Sequence, residues 1–345
     1  GGGYLAANLN EKTQNVTQTA SASSALVNTA LFTGSNLSVA QIAEMNRDTV
    51  VEITTETVQT NQMMRQVIQS GAGSGVIVST DGYIATNHHV IENASKITVR
   101  LHNGESYEAT LVGTDAKTDI AVIKIKENNL KAATIGSSAD LQVGELAVAI
   151  GNPLGQLGGT VTDGIISALD RQITIDDTTM TLLQTNAAIN PGNSGGGLFN
   201  GKGELIGIVN AKSSGEGVEG LGFAIPIDTA KEIIQQLTQY GYVKGRVDLG
   251  MSLVDVSNIQ MAWIYRVGTP GLYVQNVEQG SNAQKAGFQS GDRIIAIDGK
   301  EVSSSSALKQ KLDGYQVGDN VTFTISRNGQ TAKLSMKLAE YTPSK

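Results

Sequence analysis

Asn190-Pro191-Gly192-Asn193-Ser194-Gly195-Gly196-Gly197 is the stretch on which the reading of this chain turns. One serine stands among residues with little or no side chain. A carbonyl carbon can approach Ser194 closely there, and backbone N–H groups can aim at an oxyanion, because glycine permits both. A plain Gly-rich turn between two strands would be spelled the same way, so the decision rests on what lies elsewhere. The stretch also fits G-x-S-x-G, a strand-to-helix turn in which the histidine follows the serine in the chain. All three histidines, His88, His89 and His102, precede Ser194. A histidine base must therefore come from upstream, in the order His, Asp, Ser.

His88 and His89 lie in Thr86-Asn87-His88-His89-Val90, at the end of an expected strand. Neighbouring side chains of a strand point to opposite faces, so at most one of the two faces the serine. A metal site is not expected: adjacent positions converge poorly, no third ligand is evident, and the chain has no cysteine. Asp119, in Thr118-Asp119-Ile120-Ala121-Val122, stands just before an apolar strand, where a carboxylate can be half buried beside an imidazole. An ordinary turn aspartate, as Asp115 is read, would look the same.

Outward from these blocks the text is β-like from Val50 to Ile227. Asp81-Gly82 and Asn103-Gly104 are hairpin turns between short apolar runs. Strands are expected at residues 75–78, 83–86, 96–101, 106–109, 120–125, 146–150, 164–169, 181–184 and 205–210. Two Greek-key barrels fit, but the pattern alone does not choose a barrel over a sandwich. Of the 345 residues, 40 % are hydrophobic, 17 % charged and only 4 % aromatic, with 40 glycines, which suits a folded, turn-rich chain of two domains. A net charge of −7 argues against a nucleic-acid surface.

Residues 1–37 read as a flexible lead, and Ser38-Val39-Ala40-Gln41 has capping-box spacing for a short helix. Asp228 is expected to cap a helix with Ala230, Ile233, Ile234 and Leu237 on one face, stopped by Gly241. A smaller α+β unit follows, with strands near 249–254, 272–277, 293–297 and 321–326 and helices near 282–286 and 305–312. Trp263 and Tyr265 fall in an expected irregular insert.

Thr86-Asn87-His88-His89-Val90, Thr118-Asp119-Ile120-Ala121-Val122 and Asn190-Pro191-Gly192-Asn193-Ser194-Gly195-Gly196 resemble the three catalytic blocks of the HtrA (DegP/DegS-like) serine protease family. Gly151-Asn152-Pro153-Leu154-Gly155, Thr160 to Gly164 and Gly222 to Pro226 extend the likeness, which covers roughly residues 38–340. The resemblance implies a mainly β chain: a chymotrypsin-like double six-stranded β-barrel over 38–240, then an α+β PDZ domain over 247–340. It implies His89 as general base, Asp119 as its orienter and Ser194 as nucleophile. The oxyanion hole would be the loop Gly192, Asn193, Ser194, through the N–H groups of Gly192 and Ser194. Position 88 is His where the family has Asn, position 186 is Asn where it often has Asp, and position 197 is Gly where Pro or Ala is usual.

In chymotrypsin-like folds the residue six before the nucleophile lines the floor of the specificity pocket. Here that is Ala188, followed by Ile189; by the resemblance Leu221 would stand in the other wall. With no acid to pair a Lys or Arg, small aliphatic side chains are the expected substrates' anchors. Gly271 to Gln275, Ser281 to Gly287 and Gly291 to Gly299 look like a PDZ core in its HtrA arrangement. By that likeness Leu249, Gly250 and Met251 receive a peptide added as a strand, and Ala307 and Leu308 wall the groove. Leu249 and Met251 are equally readable as core strand residues.

The expected activity is endoproteolysis of unfolded or misfolded chains through an acyl-enzyme, without cofactor or metal. The expected PDZ partners are hydrophobic C-termini or exposed strands. The family implies a homotrimer or a multiple of trimers and an extracytoplasmic site, with a membrane anchor upstream of this chain. The rivals are a PDZ-gated signalling protease with one dedicated substrate and a catalytically idle holdase. Gly71 to Gly75 resembles a dinucleotide loop only faintly, because it leads into a strand rather than a helix.

Overall fold

The computed structural model describes residues 35–60, 63, 65–152, 159–175, 178–213 and 220–343. Most of the expected flexible lead lies outside the described residues. Leu37 belongs to the fold: its N–H donates to Gly201 O at 2.8 Å and its side chain packs on the core. Helix α1 (Val39–Asn46) follows, with both arms of the capping box made between Ser38 and Gln41.

Twelve strands then form two closed antiparallel barrels. The first holds β1 (Val50–Thr60), β2 (Gln66–Ile77), β3 (Tyr83–Asn87), β4 (Lys96–Arg100), β5 (Ser106–Asp115) and β6 (Ile120–Lys124), in the order β1-β2-β3-β6-β5-β4. The second holds β7 (Leu146–Gly151), β8 (Thr160–Ile175), β9 (Thr178–Thr185), β10 (Gly197–Phe199), β11 (Leu205–Val209) and β12 (Gly222–Pro226), in the order β10-β11-β12-β9-β8-β7.

The period of two along each strand explains the packing. In β6, Ala121 and Ile123 join the interior of the first barrel with Ile53, Ile77, Ile84 and Val99. Their neighbours Ile120 and Val122 belong instead to a cluster shared with Val148, Ile150, Phe199 and Ile208 of the second barrel. In β7, Ala147 and Ala149 turn into the second barrel beside Ile166, Leu183 and Leu198. Strands that meet core on both faces read as unbroken apolar runs, which is why the sequence pattern could not separate a barrel from a sandwich. Each fully buried Val or Ile contributes about 1.5–3 kcal/mol.

Helix α3 (Ile227–Tyr240) lays Ala230, Ile233 and Leu237 on the inter-barrel cluster and stops at Gly241, whose φ is 81°. Asp228 does not cap it. Pro226 occupies the cap position without a side-chain bond, and the Asp228 carboxylate accepts the N–H groups of Ser138 and Ala139 at 3.1 and 2.9 Å. The correction follows from Pro226 at the strand's end, which sets the helix start two residues earlier than a cap at Asp228 requires.

The C-terminal unit pairs β13 (Val247–Asp248) with β20 (Ala339–Glu340). Its main sheet runs β14 (Met251–Val256), β15 (Gly271–Val277), β16 (Arg293–Ile297), β18 (Asn320–Arg327), β19 (Gln330–Lys337), with β17 (Lys300–Glu301) on β16. Helices α5 (Asn282–Ala286) and α6 (Ser305–Leu312) pack on it. The insert expected to be irregular is helix α4 (Ile259–Tyr265): Asn258 Oδ1 caps the Met261 N–H at 2.9 Å and Arg266 ends it in the left-handed region. Its near-continuous apolar spelling hid the helical period. Asp115, read as an ordinary turn aspartate, ends β5 and carries a tertiary bond. It is 5 % exposed and takes a two-pronged bond from Arg246, Nε to Oδ1 at 2.9 Å and Nη2 to Oδ2 at 2.7 Å.

Candidate active site

The two histidines sit in a single helical turn, α2 (His88–Ile91), rather than at a strand end. The change of conformation after Asn87 turns them to different partners. His88 Nδ1 meets Thr114 Oγ1 at 2.7 Å and its Nε2 faces Glu92 at 3.7 Å. His89 Nδ1 lies 2.7 Å from Asp119 Oδ2, and its Nε2 lies 2.7 Å from Ser194 Oγ. An ionised carboxylate only accepts, so Nδ1 carries the proton and Nε2 is left to accept from the serine hydroxyl.

Asp119 is held for this task. Its φ is 56°, in the left-handed region that Asp tolerates better than most residues. That backbone turn lets its own carbonyl accept the His88 N–H at 3.0 Å and the Asn87 side-chain amide at 3.2 Å. Its Oδ1 takes the His89 N–H at 2.9 Å, and Oδ2 also takes Asn210 Nδ2 at 2.9 Å. The carboxylate is thus buried but fully engaged, at 6 % exposure.

Ser194, 2 % exposed, ends a 3-10 turn over Pro191–Asn193. In that turn the Asn193 N–H donates to Asn190 O at 2.9 Å and the Ser194 N–H to Pro191 O at 3.2 Å. The Ser194 amide expected to meet an oxyanion is therefore engaged inside the loop. Gly195 follows with φ 83°, and a Cβ there would stand 2.2 Å from Ser74 O. Gly197 leaves room for the Phe199 ring, which a Cβ would meet at 2.4 Å. That packing accounts for the missing side chain at position 197.

Three groups escaped the sequence reading. Asn87 Oδ1 lies 2.9 Å from Ser194 Oγ and competes with His89 for its proton. Asn210 braces Asp119. Ser74 donates to Gly192 O at 2.7 Å, accepts the Asn152 N–H at 2.8 Å, and gives its own N–H to Ser194 O at 2.8 Å. The signal available for Ser74 was its place among glycines in Gly71–Gly75; nothing local marked the two asparagines.

Ala188, Ile189 and Leu221 line one cavity of about 1180 Å³ with His89, Ser194 and Pro191. Among the described residues that line it, Glu92 is the one acid. Asn186 Oδ1 accepts the Ile165 N–H at 2.8 Å, which orients the strand that leads into the pocket. Among the described residues no cluster of His, Asp or Glu could hold a metal.

In the C-terminal unit β14 is an edge strand, with α6 beside its open side. Asp255 joins the two, accepting the Ser305 N–H at 2.8 Å and the Ser305 hydroxyl. Met251 and Leu308 are core residues, while Leu249 and Ala307 are partly buried against that core. Leu249 and Gly250 lie before the strand, not in it; Gly250 has φ 67° and donates its N–H to Asp248 Oδ1 at 2.9 Å.

Residues 73–208 match the trypsin-like peptidase domain family, and residues 247–338 match the PDZ domain family. Serine protease Do-like HtrB of Bacillus subtilis is 42 % identical over 99 % of this chain and 79 % of its own length. The probable periplasmic serine endoprotease DegP-like of Chlamydia trachomatis is 46 % identical over 78 % of this chain; the chain spans about 54 % of that protein. Among solved structures, the HtrA-type protease AlgW with decapeptide has 35 % identity and a TM-score of 0.56, covering 89 % of this chain and 100 % of that one. The serine endoprotease from Yersinia pestis has a TM-score of 0.54, with 34 % identity and 89 % and 99 % coverage. With two six-stranded barrels, a Ser-His-Asp relay between them and a PDZ domain behind, the chain belongs to the HtrA (Do-like) family of serine proteases.

Proposed function

We propose that this chain is an endopeptidase for unfolded or misfolded proteins, with Ser194 as nucleophile, His89 as general base and Asp119 as its orienter. The observation that carries the reading is the unbroken relay, 2.7 Å from Ser194 Oγ to His89 Nε2 and 2.7 Å from His89 Nδ1 to Asp119 Oδ2. Attack by Ser194 Oγ on a peptide carbonyl sends the hydroxyl proton to Nε2. Asp119 stabilises the imidazolium, and His89 returns the proton to the departing amine. Water then hydrolyses the acyl-enzyme by the reverse relay.

The oxyanion hole of the Gly192, Asn193, Ser194 loop needs one rearrangement. Rotating the Pro191–Gly192 peptide withdraws Pro191 O from the Ser194 N–H and turns the Gly192 N–H toward the same point. Each donor gained is worth about 3 kcal/mol to the transition state. Ala188, Ile189 and Leu221 favour aliphatic anchors, since none of the three carries a charge to pair with a Lys or Arg.

The PDZ domain receives hydrophobic C-termini or exposed strands along β14, with the peptide's carboxylate at Leu249, Gly250 and Met251 and its side chains toward Ala307 and Leu308. We assign residues 38–240 to the protease unit, 247–340 to the PDZ unit and 1–37 to a lead, in a homotrimer or a multiple of it. An extracytoplasmic setting is supported by relatives described as periplasmic; a membrane anchor upstream is part of the same proposal. Digestion of reduced casein by the parent and by Ser194→Ala tests the core of this reading. Cleavage after aliphatic residues by the parent alone is expected. Equal digestion by both proteins, or cutting mainly after Lys and Arg, contradicts it.

A further inference from the structure

Ser74 is fully buried in β2, and each of its polar groups is engaged. Its carbonyl accepts the Thr86 hydroxyl at 2.7 Å, and its N–H donates to Ser194 O at 2.8 Å. Its hydroxyl accepts the Asn152 N–H at 2.8 Å and donates to Gly192 O at 2.7 Å. A backbone amide only donates and a carbonyl only accepts, so the direction is fixed: the hydroxyl proton points at Gly192 O. The strand is pressed on both sides of this residue. A Cβ at Gly73 would meet Val90 at 2.7 Å, and one at Gly75 would meet Ile84 at 2.7 Å. The hydroxyl therefore stands on a rigid base.

The loop it touches has to move at one point and stay still at the next. To open the oxyanion hole, the Pro191–Gly192 peptide turns and Pro191 O leaves the Ser194 N–H, a bond of 3.2 Å. The following three carbonyls have shorter anchors. Gly192 O is held by the Ser74 hydroxyl, Asn193 O by the Gly196 N–H at 2.9 Å, and Ser194 O by the Ser74 N–H. From the other side the end of β7 closes on the same loop: a Cβ at Gly151 would stand 2.7 Å from Asn193 Cα. The next residue, Asn152, supplies the N–H that rests on the Ser74 hydroxyl. The loop is thus clasped between a strand of the first barrel and the end of a strand of the second.

We propose that Ser74 is a positioning residue for the oxyanion hole. Its hydroxyl pins the Gly192 carbonyl while the Pro191–Gly192 peptide turns, so the rotation is taken up at Gly192 and the Gly192 and Ser194 N–H groups converge on one point. The proposal rests on the proteolytic reading above. Without the pin the Gly192–Asn193 peptide turns as well, and the Gly192 N–H loses its fixed aim at the tetrahedral intermediate. Ser74 is not among the residues that line the cavity around His89 and Ser194. Its loss therefore weakens binding of the transition state and not of the substrate.

Ser74→Ala and Ser74→Cys test this. The cysteine fills the space of the serine, but its thiol is a weak donor, so it keeps the packing and loses the pin. Each protein is assayed on a peptide anilide with valine before the cut, and on the boronic acid of the same sequence, which becomes tetrahedral on Ser194. Both variants are expected to lose about thirtyfold in kcat with KM within about twofold. The boronic acid should bind them more weakly by about the same factor as kcat falls. The midpoint of the pH profile of kcat/KM, set by His89, should stay where the parent has it. A structural role alone would not divide the effects in this way. Parent-like kcat in Ser74→Cys, a rise in KM as large as the fall in kcat, or a moved midpoint overturns the proposal while proteolysis by the parent stands. A parent that neither cleaves the anilide nor binds the boronic acid removes the proteolytic reading, and this proposal with it.

Discussion

At the scale of single residues, the relay is braced by side chains outside it. Asn210 gives Asp119 Oδ2 its second hydrogen bond. Bonds to charged groups contribute about 1.5–3 kcal/mol, and part of that is felt when the imidazolium forms. Asn210→Ala is expected to lower kcat about tenfold with little change in KM, read from steady-state cleavage of a short peptide. Glu52 tells a different story. Its Oε2 is buried without a hydrogen-bond partner among the described residues. Burial pushes its carboxyl up, only partly opposed by the charge of Arg100. A raised carboxyl favours the neutral form in the fold, so its contribution to stability is present below the ordinary carboxylate range and lost as pH rises through the folded value. Glu52→Gln should therefore raise Tm at neutral pH and leave it nearly unchanged near pH 3. The sequence carried the residue types of the active site but not their directions. The family resemblance picked His89, but no local signal did: the backbone enters a helical turn at position 88, which swings His88 to Thr114 and His89 to Ser194. Asn87 and Asn210 were invisible because an asparagine in a strand or loop has many ordinary uses.

At the scale of elements, local signals worked where the chain obeys them. The Ser38–Gln41 capping box and the Gly241 stop both stand where spacing put them. They failed where a tertiary partner outbid local preference. Asp228 left the cap to bond the amides of residues 138 and 139. Burial alone would raise its carboxyl, but those hydrogen bonds, with the Ser138 hydroxyl, hold it below the usual range. Asp228→Ala is expected to cost about 1 kcal/mol at neutral pH, the size of a typical lost hydrogen bond. A depressed carboxyl stabilises above its unfolded value and ceases to do so as pH falls through the folded one. The gap between parent and variant in urea denaturation should close over that acid range. The α4 helix was missed for the opposite reason: Trp263 and Ile264 are exposed, at 82 % and 75 %, so their apolar character did not mark a buried face.

At the scale of the whole molecule, the strands of the two barrels, helix α3 and the C-terminal sheet were legible as a list of parts, and their closure and joints were not. The joint from Asp115 to Arg246 spans 131 positions of chain and has no local spelling. Its carboxylate is buried, and removing one partner strands the other, which costs about 3 kcal/mol in comparable pairs. Asp115→Ala should lose about that much in equilibrium unfolding, and Asp115→Ala with Arg246→Met should lose less than the sum of the two single changes. Strict additivity would mean that the pair does not couple the barrel to the segment entering the PDZ unit.

His89 is proposed to make Ser194 a nucleophile. Intact-mass and peptide-mass measurement after treatment with a fluorophosphonate tests it most directly. One adduct, located on Ser194 and slowed at least a hundredfold in His89→Ala, is the predicted result. An adduct elsewhere, or an equal rate on Ser194 without His89, would contradict it.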